Sequence, residues 1–593
     1  MLRMIKKILN LSGEYGKYIK LSIVFSFFSG IFASMPLMSV FYFFYKFEEN
    51  NYSYMKKDTI WKCVGIFAIS IIGGIITKYF TYRFQGVSGY YMVAKERLSI
   101  GDHLRRVPMS FFNKNSLGDV TMAITSDLQY VESQAPQLLD WIINGTITSI
   151  ISAITLMIFN FKLGIIFIIA LIAALLICNA MQNIGKDEAV GQKERQSKAA
   201  NSTLEYIRGI ATFKMYRMSG KSTDKIKNSY REYGTACAKT EYKLIPLGGL
   251  FLGTLKAACG VIIIAAPYMA LNGETTIATA AMIIIASFNV FSPVENLGVA
   301  SGMLRMMEAN LDRIDKVKQF EVIDADGKNI ELKSFDIDVS NVSFSYENRG
   351  KKEDIDEEKD ITIKNVSFKV KPSSMTAIVG ASGCGKTTMT RLVSRFFDVQ
   401  AGSIKIGGMD IREHTCDSLL KNISMVFQNV YLFNDTIINN IRFGNPNATM
   451  EEVVDAAIKA RCHEFITNLP NGYDTMVGEG GAALSGGEKQ RISIARAILK
   501  DAPIVLLDEA TANIDPENEV YIQDAINELV KDKTLIVIAH RLNTVKDADQ
   551  IVVMDNGEIS DIGTHKELIK KEGIYKCFWD IRQNANAWQV RNA

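Results

Sequence analysis

The run GASGCGKTT at residues 380–388 holds the densest chemistry in this chain. Gly380, Gly383 and Gly385 let backbone amides approach a polyphosphate, and the helix expected after them adds its partial positive charge. Lys386 is placed to reach the outer phosphates and Thr387 to offer its hydroxyl to Mg²⁺; Ala381, Ser382, Cys384 and Thr388 complete the cradle. Before the loop, the apolar run MTAIVG reads as a buried strand, the context this chemistry needs. A second apolar run, IVLLDE, ends in Asp508, suited to the Mg²⁺ shell, and Glu509. By themselves these parts mean a nucleoside triphosphatase and no more.

Between the two lies Leu484-Ser485-Gly486-Gly487-Glu488, and with this run the chain resembles the ATP-binding cassette (ABC) family. The resemblance implies a set of roles. Glu509 polarises the attacking water, and His540, in TLIVIAHRL, holds the γ-phosphate as the switch histidine. Gln428, in MVFQN, senses the γ-phosphate and joins the Mg²⁺ shell with Thr387 and Asp508. An aromatic at Tyr346 stacks on adenine, Asp515 in ATANID makes a dimer contact, and Glu479 in TMVGEGG touches the intracellular helices. Ser485, Gly486 and Gly487 open a helix whose N-terminus serves ATP held by a second cassette, so the resemblance implies a homodimer or heterodimer. Cys384 lies in the loop itself, so modifying its thiol is expected to block ATP.

The elements that must position these residues come in two kinds. At 593 residues the chain is long enough for two or three domains. Residues before about 300 are rich in Ile, Phe, Ala and Met, while those after about 330 resemble a soluble domain. A net charge of +3 without dense Lys/Arg clusters gives no argument for nucleic acid as a partner. The eight cysteines are scattered without metal or redox spacing and read as free thiols. The first 20 residues mix basic and apolar types without a cleavage-site pattern, and are expected to form an interfacial helix leading into a span.

A bilayer core takes roughly 20 apolar residues in helix. Six stretches qualify: 21–45, 63–77, 141–159, 163–181, 244–271 and 275–294. The long segments after the second and fourth are basic, whereas the connections after the third and fifth nearly lack basic residues. The long segments and both termini are therefore expected in the cytoplasm. Within these segments, 107–131 and 204–222 resemble the two intracellular loops of exporter-type ABC transporters.

Polar residues inside apolar spans are costly in lipid and so are candidates for cargo contact. Asn144, Lys256, Asn289 and Glu295 are the candidates here, with helix–helix hydrogen bonding or snorkelling at span ends as their structural reading. A Lys256 that faces the cavity favours anionic or amphipathic cargo.

The expected fold is an all-α six-helix transmembrane domain with long cytoplasmic helix extensions, then an α/β P-loop cassette with an antiparallel β subdomain and a helical subdomain. The expected boundaries are an N-terminal helix at 1–20, the membrane domain at 21–310, a linker at 311–334, the cassette at 335–580 and a tail at 581–593. A charged stretch at 347–360 reads as a solvated insert. The expected function is an ATP- and Mg²⁺-dependent half-transporter in the cytoplasmic membrane, partnered by a second half-transporter, the lipid bilayer and its cargo. Export is the default direction. The run GEGGAALSGGEKQRISIARAILKDAP resembles the branch of this fold that imports iron–siderophore complexes, which stands as the alternative. An ATP-gated channel or regulator is the remote one. Six spans exclude a soluble ABC ATPase of DNA repair or translation.

Overall fold

The computed structural model describes residues 2–49, 57–112, 118, 120–217, 223–346, 361–508, 516–538 and 545–581. The charged stretch 347–360, Glu509, Asp515, His540 and residues 582–593 lie outside the described residues. The chain divides into two compact units, Met1–Arg105 with Phe112–Phe320 and Arg106–Phe111 with Glu321–Ala593.

The first unit is helical. Its helices are α1 (Leu2–Ser12), α2 (Gly16–Glu49), α3 (Lys57–Leu104), α4 (Leu128–Phe159), α5 (Phe161–Arg208), α6 (Ile210–Met215), α7 (Asp224–Leu271), α8 (Ile277–Val290) and α9 (Ser292–Lys318). Among the described residues, six helical stretches are long and apolar enough to cross a membrane; the sixth, Ile277–Lys318, comprises α8 and α9. The break between those two falls at Phe291, just before Pro293, where a proline fits the first turn of a new helix. Helices α3, α5 and α7 have 48 residues each. At 1.5 Å per residue that is about 72 Å, more than twice a hydrocarbon core of about 30 Å. The rest of each helix carries charge, and several ion pairs of the unit lie there. Asp127, fully buried at the end of a π-helical turn (Ala123–Asp127), meets Lys193 of α5 and Arg313 of α9, each at 3.2 Å. Unpaired, a carboxylate so buried would be strongly destabilising.

Helix α1 packs on the bundle, with Ile8 buried and Lys7 paired to Asp312 of α9 at 2.7 Å. Helix α2 runs unbroken from Gly16, and α9 continues to Lys318, into the stretch read as a linker.

In the second unit, β1 (Ile337–Phe344), β2 (Ile363–Val370), β4 (Ala401–Ile406) and β5 (Met409–Asp410) form an antiparallel sheet in the order β2-β1-β4-β5. A six-stranded sheet has the order β10-β9-β3-β8-β7-β6, built from β3 (Met375–Gly380), β6 (Ile423–Val426), β7 (Ile504–Asp508), β8 (Thr534–Ile538), β9 (Gln550–Asp555) and β10 (Glu558–Gly563). All of its pairings are parallel except that of β10 with β9. Residues of the central strands alternate between two cores. Ala377, Val505, Leu507 and Val537 enter the core that includes the helical segments, while Ile378, Ile504, Leu506 and Ile536 face the antiparallel sheet. A strand buried on both faces needs a continuous apolar run, which explains why MTAIVG and IVLLD show no polar alternation.

Candidate functional site: the nucleotide cradle of the cassette

Register brings the two chemical runs together. Strand β8 lies between β3 and β7, and Ile538 pairs with both Ile378 and Asp508. The loop after β3 and the carboxylate ending β7 therefore emerge at one edge of the sheet, outside the carboxyl ends of parallel strands, where such folds bind ligands. Thr387 opens toward that edge, and its hydroxyl donates to Asp508 Oδ1 at 3.1 Å.

Within the loop, Ala381, Ser382 and Gly383 are exposed, whereas Cys384, Gly385 and Lys386 are buried. Gly385 caps the helix α10 (Lys386–Val393) at φ +103°, and a Cβ there would meet Ile363 Cδ1 at 2.5 Å. Both facts demand glycine. The Lys386 ammonium donates to the carbonyls of Gly380, at 3.1 Å, and Ala381, at 2.8 Å. It is thus folded over the loop and can exchange these carbonyls for phosphate oxygens. Tyr346 donates its hydroxyl to Thr388 at 3.0 Å and packs edge-on against Phe344 and Phe397. This sets its ring, 38% exposed, beside the phosphate loop.

Burial raises the Cys384 thiol above its ordinary pKa, against the opposing pull of the Lys386 ammonium 4.0 Å away. Cys384 is therefore a packed thiol, held less reactive than an ordinary exposed cysteine.

The LSGGE run is divided in its tasks. Ser485 is the N-cap of α11 (Gly486–Lys500): its hydroxyl accepts from the Glu488 amide at 3.4 Å, and Glu488 accepts from the Ser485 amide at 2.8 Å. This capping box fixes the helix start and leaves Ser485 and Gly486 exposed. Leu484 is buried in the core. Gly487 is buried where a Cβ would stand 2.7 Å from Asn518 Cβ, on the helix Pro516–Leu529. The five residues thus present two groups to a ligand and use three to hold them. Gln428 is exposed on the loop after β6, and the adjacent Phe427 carbonyl accepts from Gln490 of α11 at 3.4 Å. This tie was not legible in the motifs.

Mg²⁺ can be tested against these groups. Thr387 and Asp508 supply a hydroxyl and a carboxylate, the hard oxygen donors this ion prefers. Among the described residues, no group of three or more His, Cys, Asp and Glu is arranged to hold a metal. An ion here would complete its shell with phosphate oxygens and water, as Mg²⁺ commonly does.

Elsewhere in the second unit, Asp324 was not singled out by the sequence, yet it is 3% exposed and accepts from Arg106 at 2.8 Å and from the Cys416 amide at 2.9 Å. Arg106 immediately precedes the segment resembling the first intracellular loop, and Met109 within that segment donates to the Phe396 carbonyl at 3.0 Å. A charged pair 218 residues apart leaves no local signal.

The cargo candidates of the first unit are placed differently from one another. Lys256 is paired with Glu295 at 2.6 Å. Asn144 accepts from Thr148 one turn along the same helix at 3.2 Å, and Asn289 lines a cleft. Asp140, just before the third span, was overlooked; it is 5% exposed, pairs with Lys78 at 2.7 Å and accepts from Ser26.

Comparison with known proteins accords with this geometry. The family profile for the ABC transporter transmembrane region matches residues 16–293, and the ABC transporter profile matches 363–512. The ATP-dependent lipid A-core flippase of Escherichia coli (strain K12) is 32% identical over 524 residues, covering 87% of each chain, and the flippase of the same name from Shigella flexneri matches equally. The structure of a bacterial Atm1-family ABC exporter with ATP bound superposes with a TM-score of 0.84 at 25% identity, covering 95% of this chain and 98% of that one. These relatives do not favour the siderophore-importing alternative. The chain belongs to the ABC transporter family, as an integral membrane half-transporter of the exporter fold in which an ATPase cassette drives transport.

Proposed function

We propose that this chain pairs with a second half-transporter, a second copy sufficing, and exports a small or amphipathic molecule from the cytoplasmic side of the cytoplasmic membrane. The observation that carries the cassette reading is the juxtaposition of Thr387 and Asp508 beside a loop whose lysine donates to the loop's own carbonyls. Tyr346 stacks on adenine, the loop amides and Lys386 bind the phosphates, and Thr387, Asp508 and Gln428 hold Mg²⁺. Bound there, Mg²⁺ neutralises charge developing on the transferred phosphoryl group. Glu509 takes the proton of the attacking water, and His540 keeps that water and the γ-phosphate aligned. Ser485 and Gly486, exposed at a helix N-terminus, complete the partner's site, with Asp515 at the contact. Closure of the two cassettes then alternates the opening of the spans, and hydrolysis resets them. The basic long segments support a cytoplasmic position for both termini.

The test is Glu509→Gln in the reconstituted transporter. ATP binding should persist while hydrolysis is lost; turnover at the wild-type rate would sink this reading. Accumulation of labelled cargo in inside-out vesicles is the expected outcome for export, and loss of preloaded cargo from them would reverse the direction.

A further inference from the structure

The six apolar stretches contain a single Asp, Glu, Lys, Arg or His, namely Lys256. Glu295 neutralises it at 2.6 Å. At the ends of the stretches the pattern repeats, with Lys78 on Asp140 and Lys162 on Glu274, each at 2.7 Å. Polar capacity in the interior is therefore left to hydroxyls and amides, and some of these converge. A cleft of about 290 Å³ between α2, α3, α4 and α8 is lined on its polar side by Ser34, Thr148, Ser152, Thr155 and Asn289. Phe67, Leu37 and Ile285 supply apolar wall. Thr148 to Thr155 lie within 12 residues of the turn at Asn160, or about 18 Å along the helix, so the cleft sits within the span rather than at its charged extension.

Three of the four hydroxyls of this wall have already spent their protons. Ser34 donates to the Gly30 carbonyl at 3.0 Å, Thr155 to the Ile151 carbonyl at 2.7 Å, and Thr148 to Asn144 at 3.2 Å. What they present to the cleft is lone pairs, and Asn289 adds an amide able to donate or accept. Such a wall suits a guest that brings O–H or N–H donors and an apolar body. A phosphate or carboxylate, acceptor-only when ionised, would meet mostly acceptors and, among the described residues that line the cleft, no cation.

We propose that this cleft binds the cargo and that the cargo class is an uncharged amphipath bearing a hydroxyl or amide donor. The inference rests on the transporter reading above and narrows it. A second copy would add identical stretches, and with them no further unpaired charge.

The experiment uses the full-length transporter in nanodiscs with two photoreactive probes of equal chain length, a diazirine-bearing monoacylglycerol and its phosphate ester. The monoacylglycerol should label peptides spanning 148–155 and 285–290, be competed by the unlabelled compound, and stimulate ATPase. Asn289→Ala with Ser152→Ala should raise its half-saturating concentration at least tenfold, and Thr148→Val, which keeps the shape, should raise it less. Labelling by the phosphate ester should be at least tenfold weaker. Equal or stronger labelling by the phosphate ester would overturn the assignment, most clearly if Lys256→Gln abolished it. So would monoacylglycerol labelling that is absent, or spread without competition over the lipid-facing surface. Absence of ATP hydrolysis even without cargo would instead strike the transporter reading, since labelling is scored independently of turnover.

Discussion

The Thr387 hydroxyl donates to the Asp508 carboxylate across 3.1 Å, although 121 residues separate the two along the chain. The loop and the strand end that the sequence offers as separate motifs are one ligand set. Thr387→Val is expected to raise the Mg²⁺ concentration for half-maximal ATPase by roughly 10- to 100-fold, the usual scale for disturbing a metal's supporting shell. Titrating ATPase against Mg²⁺ checks this, and an unchanged midpoint would remove Thr387 from the site.

Exposure of Ser485 and Gly486 predicts action in trans. Heterodimers isolated with two tags should keep ATPase when one chain carries Ser485→Ala and the other Lys386→Ala, since one composite site stays whole. A wild-type chain paired with the double variant has no whole site and should be inactive. Equal activity of the two pairings would refute head-to-tail sharing.

Gly487 has no room for a side chain against Asn518. Gly487→Ala should destabilise the cassette by about 1–3 kcal/mol, the cost of overpacking a close contact. Thermal unfolding of the purified protein measures it.

Cys384 should resist alkylation. Its thiol pKa is raised by burial, so at neutral pH less of it is thiolate than of an ordinary cysteine, and the rate should climb as pH rises through and beyond the ordinary thiol range. Mass spectrometry after timed iodoacetamide treatment should find Cys577, which is exposed, modified first. Preferential labelling of Cys384 at neutral pH would show the packing to be wrong.

For Asp324, burial alone would raise the carboxyl pKa, but the Cys416 amide and the Arg106 guanidinium together hold it below its ordinary value. A depressed carboxylate pKa contributes stability above the unfolded-state value and loses it as pH falls through the folded-state value. Melting temperature should therefore drop more steeply on acidification below about pH 4 in the wild type than in Asp324→Asn. Arg106→Gln should lower stability at neutral pH by about 1–3 kcal/mol by leaving a buried carboxylate short of a partner. Parallel acid limbs for wild type and Asp324→Asn would rule the pair out as a source of stability.

The sequence by itself determined whatever depends on neighbours along the chain. Continuous apolar runs give spans in the first half and doubly buried strands in the second, because burial on every side leaves no place for polar alternation. Gly385 and the Ser485–Glu488 box act within a few residues of themselves, and their spacing is already the chemistry. Tertiary structure alone decided the pairings over distance. It set Asp508 beside Thr387 through the register of β8, spread the LSGGE run between core, cap and display, and buried Cys384. It also gave Lys256 its Glu295, turning an apparent free cation into half of a neutral pair. Charge in a low-dielectric interior is defined by what stands within a few ångströms, and no one-dimensional pattern records that distance.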